Sequence, residues 1–393
     1  MNRIFPISLA AVIIVSTLAT TRLTGLSTPR RLDESQPARF IGIRQFADWA
    51  KSAGNSDSET VLTSLPIDSE ISWNELIASW NAQTPAGTGL KLEARGIYPD
   101  HTTKYYTLGI WSSDPGVAAF EKDVKPSSYP RESVNGQKDA DGDVHTDTLA
   151  LKRPGAKLEL RITLTANTTA SPATKPELKY LGLSFLDTHA PQPAELEKTK
   201  HPAWGKVIEV PERAQGNYPH GAVICSATCT SMTLSYWAKA ASRTELDIDV
   251  PAVVEGVYDR AYDGTGNWPF NTAFAGKFPG MRAYVSRFTS INELEDWIDA
   301  GIPVVCSVAY SVLKGKPRSA TESGHLVICT GFTPEGDIIL NDPALNPKRG
   351  LRVRTPYPRQ QFLAGWKDSR NTVYLIYPES KKPPANHYGH WDG

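Results

Sequence analysis

The chain has 393 residues, enough for two domains that each bury a core. Lys+Arg and Asp+Glu each total 42, so the net charge is zero, and the basic footprint of a nucleic-acid binder is excluded. Charged residues at 21% and apolar ones at 40% exclude wholesale disorder, and a lone apolar run excludes a multi-span transporter.

That run, Ile4–Thr21, carries no charge, follows Arg3 and ends near the small residues Thr17-Leu18-Ala19. Residues 1–26 therefore read as a signal peptide or N-terminal anchor, and the expected location is secreted or extracytoplasmic. Residues 27–69 are polar and mixed and read as a lead-in. From 70 to 187 the pattern changes to period two. Leu90–Arg95, Tyr106–Ile110, Thr148–Leu151, Leu158–Leu164 and Leu178–Phe185 alternate or carry strand character between Gly, Pro, Asp and Asn clusters. Such short strands predict an antiparallel β-sandwich. Residues 188–204 are Pro-rich and read as a linker.

Residues 205–378 mix both periods. Cys225–Trp237 predicts a helix with Cys225, Cys229, Met232 and Tyr236 on one face. Ser290-Ile-Asn-Glu293 is a capping box, opening a helix that Gly301 ends. Strands are expected over Ile302–Tyr310, His325–Phe332, Asp337–Asn341 and Val373–Tyr377, which makes this half α+β. Lys314–Gly324 is polar and reads as a mobile loop over a cleft. Residues 379–393 read as a disordered tail.

The residues that carry chemistry lie in this second half, as do all four cysteines. A thiol at the head of a helix meets free N–H groups and the positive end of the dipole, which favour the thiolate. His325 opens a strand and can serve as base to that thiol. If Phe332 faces Asp337 across the turn, Val327 faces Asp342, and His325 becomes the carboxylate's diagonal neighbour on one face. Asp342 can then orient the imidazole. Gln215, upstream, offers an amide donor for an oxyanion.

Gln215, the run CSATCTSM at Cys225–Met232, Gly324-His325-Leu-Val and Asn341-Asp342-Pro343, in that order, resemble the double-glycine (bacteriocin-leader) type of papain-fold cysteine peptidase. More closely they resemble its exported relatives without ABC-transporter parts. The similarity runs from about Lys206 to Tyr377 and includes Asp263–Asn271. It implies a papain-like core, with Cys225 as nucleophile, His325 as general base, Asp342 as orienting residue and Gln215 as oxyanion donor. It also implies Asn267 and Trp268 as cleft residues. Ser226-Ala227 departs from the family's Gly-Pro or Ser-Pro, which removes a helix-starting proline but no reacting group.

The expected fold is thus a papain-like α+β peptidase domain preceded by a β-sandwich. The expected activity is an exported thiol hydrolase acting on peptide or protein substrates, cell-wall or surface material included. Two alternatives stay open: a surface protein binding glycan or peptide with an idle papain-like domain, and a cell-wall amidase or transpeptidase. No cofactor is implied. Cys225, Cys229 and His325 leave zinc a ligand short. Asp139–Asp143 lacks the glycine and closing acid of a calcium loop and reads as a turn. Cys306 and Cys329 are candidates for a disulfide or for buried thiols. Trp73, Trp80 and Trp111 read as core residues before sugar-binding ones.

Overall fold

In the computed structural model, the described residues are 37–121, 123–126, 128–191, 199–320 and 324–392. The signal or anchor segment lies outside them, as do residues 192–198 of the linker. Among the described residues no helix is long and apolar enough to cross a membrane.

The first half carries ten strands: β1 (Ala38–Ile43), β2 (Ala50–Ala53), β3 (Glu59–Thr63), β4 (Glu75–Gln83), β5 (Gly89–Ile97), β6 (Tyr106–Trp111), β7 (Gly142–His145), β8 (Thr148–Leu151), β9 (Lys157–Thr165) and β10 (Glu177–Leu186). They form two antiparallel sheets, ordered β1-β10-β4-β8-β7 and β2-β3-β9-β5-β6. The sandwich is as expected, but the lead-in is not. Residues 38–63 supply β1, β2 and β3, which pair with β10 and β9 and complete both sheets. Trp73, Trp80 and Trp111 are fully buried, so they form core and no sugar-binding face.

The second half runs α1 (Cys225–Ala240), α2 (Val250–Val257), α3 (Trp268–Gly276), β11 (Met281–Arg287), α4 (Ile291–Asp299), β12 (Val304–Val308), α5 (Tyr310–Leu313), β13 (His325–Phe332), β14 (Ile338–Asn341), β15 (Arg354–Tyr357), α6 (Arg359–Asp368) and β16 (Thr372–Pro378). One antiparallel sheet, β11-β16-β12-β13-β14-β15, backs the helices, and α1 packs across β13 and β16. The Ser290 capping box forms as expected: Ser290 accepts at the start of α4 and Glu293 reaches back to the Ser290 N–H at 2.9 Å.

The two halves are held together by more than the linker. Residues 34–393 are one compact unit. β11 is an edge strand, and an unpaired edge must be covered. Side chains of β4 cover it. Asn81 donates to the Ala283 carbonyl at 2.6 Å and accepts the Ala283 N–H at 3.2 Å, while Ser79 accepts the Val285 N–H at 2.9 Å. Beside that seam Phe270 of α3 packs against Trp111 and Trp80, with ring centroids 5.3 and 6.0 Å away.

The tail is ordered by the same logic. Trp391 is 2% exposed and sits 5.6 Å, ring to ring, from both Trp297 and Phe288. His390 is fully buried between Glu293, at 2.7 Å, and the Ala38 carbonyl, at 3.2 Å. An apolar indole and a paired imidazole thus pin the strand β1 to the helix α4.

Candidate active site

Cys225 is the first residue of α1, and no side chain caps the helix ahead of it. The N–H groups of that first turn have no intrahelical partner, which leaves them free to face an anion. The helix is unusual in its sequence: Ser and Thr occupy much of it, yet it is buried on nearly all sides rather than along one stripe. It tolerates burial because its hydroxyls are paired. Thr228 donates to the Ile224 carbonyl at 2.8 Å, Ser231 to Ile248 at 2.7 Å and Ser235 to Asp247 at 2.7 Å, and Ser226 meets the Tyr374 hydroxyl at 2.8 Å. The helix that carries Cys225 is therefore fixed from several directions.

His325 opens β13, where it pairs with Val308 of β12. The route by which Asp342 reaches it differs from expectation. Near the turn Phe332 faces Ile338 and Gly331 faces Ile339, one residue out of the expected register. A bulge at Thr330 then restores it, so that Cys329 faces Leu340 and Ile328 faces Asn341. Without the bulge Asp342 would lie on the face away from His325. The Thr330 carbonyl, turned out of the ladder, accepts the Ile208 N–H at 2.6 Å. Gly331 permits this crossing, since a Cβ there would stand 2.2 Å from the Lys206 carbonyl oxygen.

The outcome is a chain of contacts. His325 Nε2 lies 2.8 Å from Asp342 Oδ1, and the Cys225 thiol stands close enough to the imidazole for each to shift the other's pKa. With Nε2 given to the carboxylate, Nδ1 is the ring nitrogen left for sulfur. Asp342 is fully buried; Oδ1 also accepts the Ala344 N–H at 2.9 Å and Oδ2 accepts the Tyr357 hydroxyl at 2.6 Å. Burial opposes its charge, but the His325 ring and the Tyr357 hydroxyl outweigh burial and hold the carboxyl below its ordinary value. For His325 too burial opposes the charged form, and Asp342 and Cys225 together raise it above its usual range. For Cys225 burial pushes upward, while the His325 ring and the backbone at Leu326 and Ser226 bring the thiol below its ordinary value. These opposed directions favour a thiolate–imidazolium pair.

Gln215 is 7% exposed and lines the same cleft. Its backbone N–H donates to the Pro343 carbonyl at 2.8 Å, which ties it to the residue after Asp342. Its Nε2 donates one of its two hydrogens to Gly221 at 2.7 Å. Gly221 allows that approach, for a Cβ there would lie 2.5 Å from the Gln215 carbonyl oxygen.

Of the two further residues implied by resemblance, Trp268 lines the cleft and Asn267 does not. Asn267 is fully buried, caps α3 by accepting the Phe270 N–H at 3.2 Å and donates to Asp259 at 2.8 Å, so it positions the loop. Two tyrosines escaped the sequence reading. Tyr357 comes from the far strand β15, and the Tyr310 ring lies 4.3 Å from the His325 ring. Neither carries a local motif; only the β14–β15 pairing and the end of β12 bring them in.

The cleft holds about 1020 Å³ and is lined by Cys225, His325, Gln215, Tyr262, Trp268 and the His145–Thr148 turn, among others. Lys314, Lys316 and Ser319 also line it, and residues 321–323 of that loop lie outside the described residues. All four cysteines are free thiols, Cys306 and Cys329 included. Cys229 donates to the Leu326 carbonyl at 3.3 Å, and among the described residues no cluster of His, Cys, Asp or Glu could hold a metal. Asp139 closes a turn, accepting the N–H groups of Asp141 and Gly142 at 2.9 and 3.0 Å.

A helix-borne thiol facing a sheet-borne imidazole, itself held by a carboxylate, is the arrangement of a papain-like α+β fold. Residues 207–374 match the model of the Peptidase C39-like family, and residues 21–185 match that of the Peptidase C39 N-terminal domain. The second half is thus a C39-like peptidase domain, and the sandwich is the sheet-rich domain that precedes it. Among solved structures it is similar to a Bacillus anthracis protein described as a candidate C39-like peptidase, at 19% identity and a TM-score of 0.31, over 46% of this chain and 98% of that one. No curated protein matches.

Proposed function

We propose that the protein is an exported cysteine hydrolase that cleaves peptide bonds through Cys225, His325 and Asp342. The observation that carries this reading is the His325 ring, set between the Cys225 thiol and an Asp342 carboxylate 2.8 Å from Nε2. The thiolate adds to the carbonyl carbon, and negative charge moves to the carbonyl oxygen. The Cys225 N–H and the free Gln215 amide hydrogen receive it. As the C–N bond breaks, the imidazolium gives its proton to the leaving amine. The neutral ring then takes a proton from water, which attacks the thioester and frees Cys225. Asp342 keeps the ring's tautomer and stabilises its charge throughout.

Export rests on the charge-free Ile4–Thr21 run behind Arg3. Cys225→Ala should abolish both peptide hydrolysis and labelling by a thiol-directed probe. Hydrolysis that persists in that variant overturns the mechanism. Added amine nucleophile separates transfer from hydrolysis, since a transpeptidase yields the amine adduct.

A further inference from the structure

The turn between β7 and β8 belongs to the sandwich half yet forms part of the active-site cleft, through His145, Thr146, Asp147 and Thr148. Asp147 is the unusual member. It is 7% exposed; Oδ2 accepts the Trp268 N–H at 2.8 Å and Oδ1 the Thr148 hydroxyl at 3.1 Å. A carboxylate has about four acceptor sites, so these two bonds leave capacity. Among the described residues none of the ion pairs includes it. The cation that bears on it, Arg287, is paired with Glu75 at 2.9 Å. A buried acid without a counter-ion is costly to keep. Holding α3 does not require one, because Asn267 already caps that helix.

The surroundings suit a cation on an aliphatic stem. Tyr262, 45% exposed, and Trp268 present rings, and Val223, 54% exposed, presents apolar surface. Asp147 and Cys225 line the same cleft, with Tyr262 among the residues beside them. We propose that the β7–β8 turn is a substrate subsite, in which Asp147 is the counter-ion for an ammonium or guanidinium group of the peptide close to the scissile bond. This rests on the peptidase reading of the cleft. It gives the N-terminal domain a part in choosing substrate.

The test uses the full chain carrying Cys225→Ala, which binds without turnover. Fluorescent octapeptides place lysine or norleucine at each position of an Ala/Ser background, with the N-terminus free or acetylated, and affinity is read by anisotropy. A lysine peptide should bind about tenfold tighter than its norleucine twin, and Asp147→Asn should shrink that ratio below about twofold. A preference that follows the free N-terminus instead assigns the same subsite to the chain's α-ammonium. Asn retains an acceptor for Trp268. Should that variant misfold, Thr146→Arg on the half-exposed tip supplies a resident cation and should collapse the ratio equally. Equal affinity for all peptides overturns the proposal, as does a lysine preference that survives both substitutions. Because binding is read without chemistry, a failure of hydrolysis in the native protein is a separate result.

Discussion

Replacing Tyr357 with Phe removes one hydroxyl and leaves the ring in place. That hydroxyl donates at 2.6 Å to Oδ2 of a fully buried carboxylate, whose Oδ1 keeps His325 at 2.8 Å and the Ala344 N–H at 2.9 Å. A hydrogen bond to a charged group contributes about 1.5–3 kcal/mol, so stability at neutral pH should fall by about that amount. The lost bond favoured only the ionised acid. At about 1.36 kcal/mol per pKa unit, Asp342 in the folded variant rises by about 1 to 2 units. In the native protein its pKa is depressed, so its contribution is present above the unfolded carboxylate value and lost as pH falls through the folded one. In the variant that loss begins at higher pH. Near pH 7 the acid stays ionised, and kcat/KM should drop by less than about tenfold while its acid limb moves upward. Urea unfolding between pH 8 and pH 4, beside a pH–rate profile, measures both. An unfolding free energy within about 0.5 kcal/mol of native, with an unmoved acid limb, refutes the reasoning.

Other consequences follow from the same contacts. Gln215→Ala should lower kcat by about a hundredfold with a smaller change in KM, as loss of an oxyanion donor does, and steady-state kinetics on a peptide decides it. Gly221→Ala should do the same indirectly, because its Cβ would stand 2.5 Å from the Gln215 carbonyl oxygen. Phe270→Ala should destabilise the whole chain by about 3–5 kcal/mol in one unfolding transition, since its ring meets tryptophans of the other half. Two separate transitions would contradict the shared core. Truncation after Pro378 removes His390 and Trp391 and should lower the melting temperature, measurable by calorimetry. N-terminal sequencing of the exported protein checks the segment 1–26; an intact Met1 in a cytoplasmic fraction contradicts export.

How much was legible depended on whether burial was one-sided. β5, β8 and β9 alternate because one face meets the core, and they read correctly from sequence. β4 and β11 are buried on both faces against each other's half, so no period two survives in them. β2 is exposed along its length and β3 half-buried throughout, which made residues 38–63 look like a lead-in. The face drawn on α1 held for Cys229 and Met232, but hydroxyl pairing buries the other sides too. Cys225, His325, Asp342 and Gln215 were legible as candidates because chemistry restricts the residue types, and the hairpin spacing anticipated the approach of Asp342 to His325. The Thr330 bulge was not foreseen, although the final placement of Asp342 depends on it. Tyr357, Tyr310 and the turn at Asp147 enter through pairings of distant strands and between halves, which no local pattern encodes.

The account turns on the Cys225–His325 pair, and the pH dependence of Cys225 alkylation by iodoacetamide tests it most directly. The ring outweighs burial to lower the thiol, so Cys225 should already react near its plateau rate well below the free-thiol range of about 8.5. His325→Ala should return the reaction to that range or above. A Cys225 that titrates like free cysteine, and does so equally with and without His325, would contradict the account.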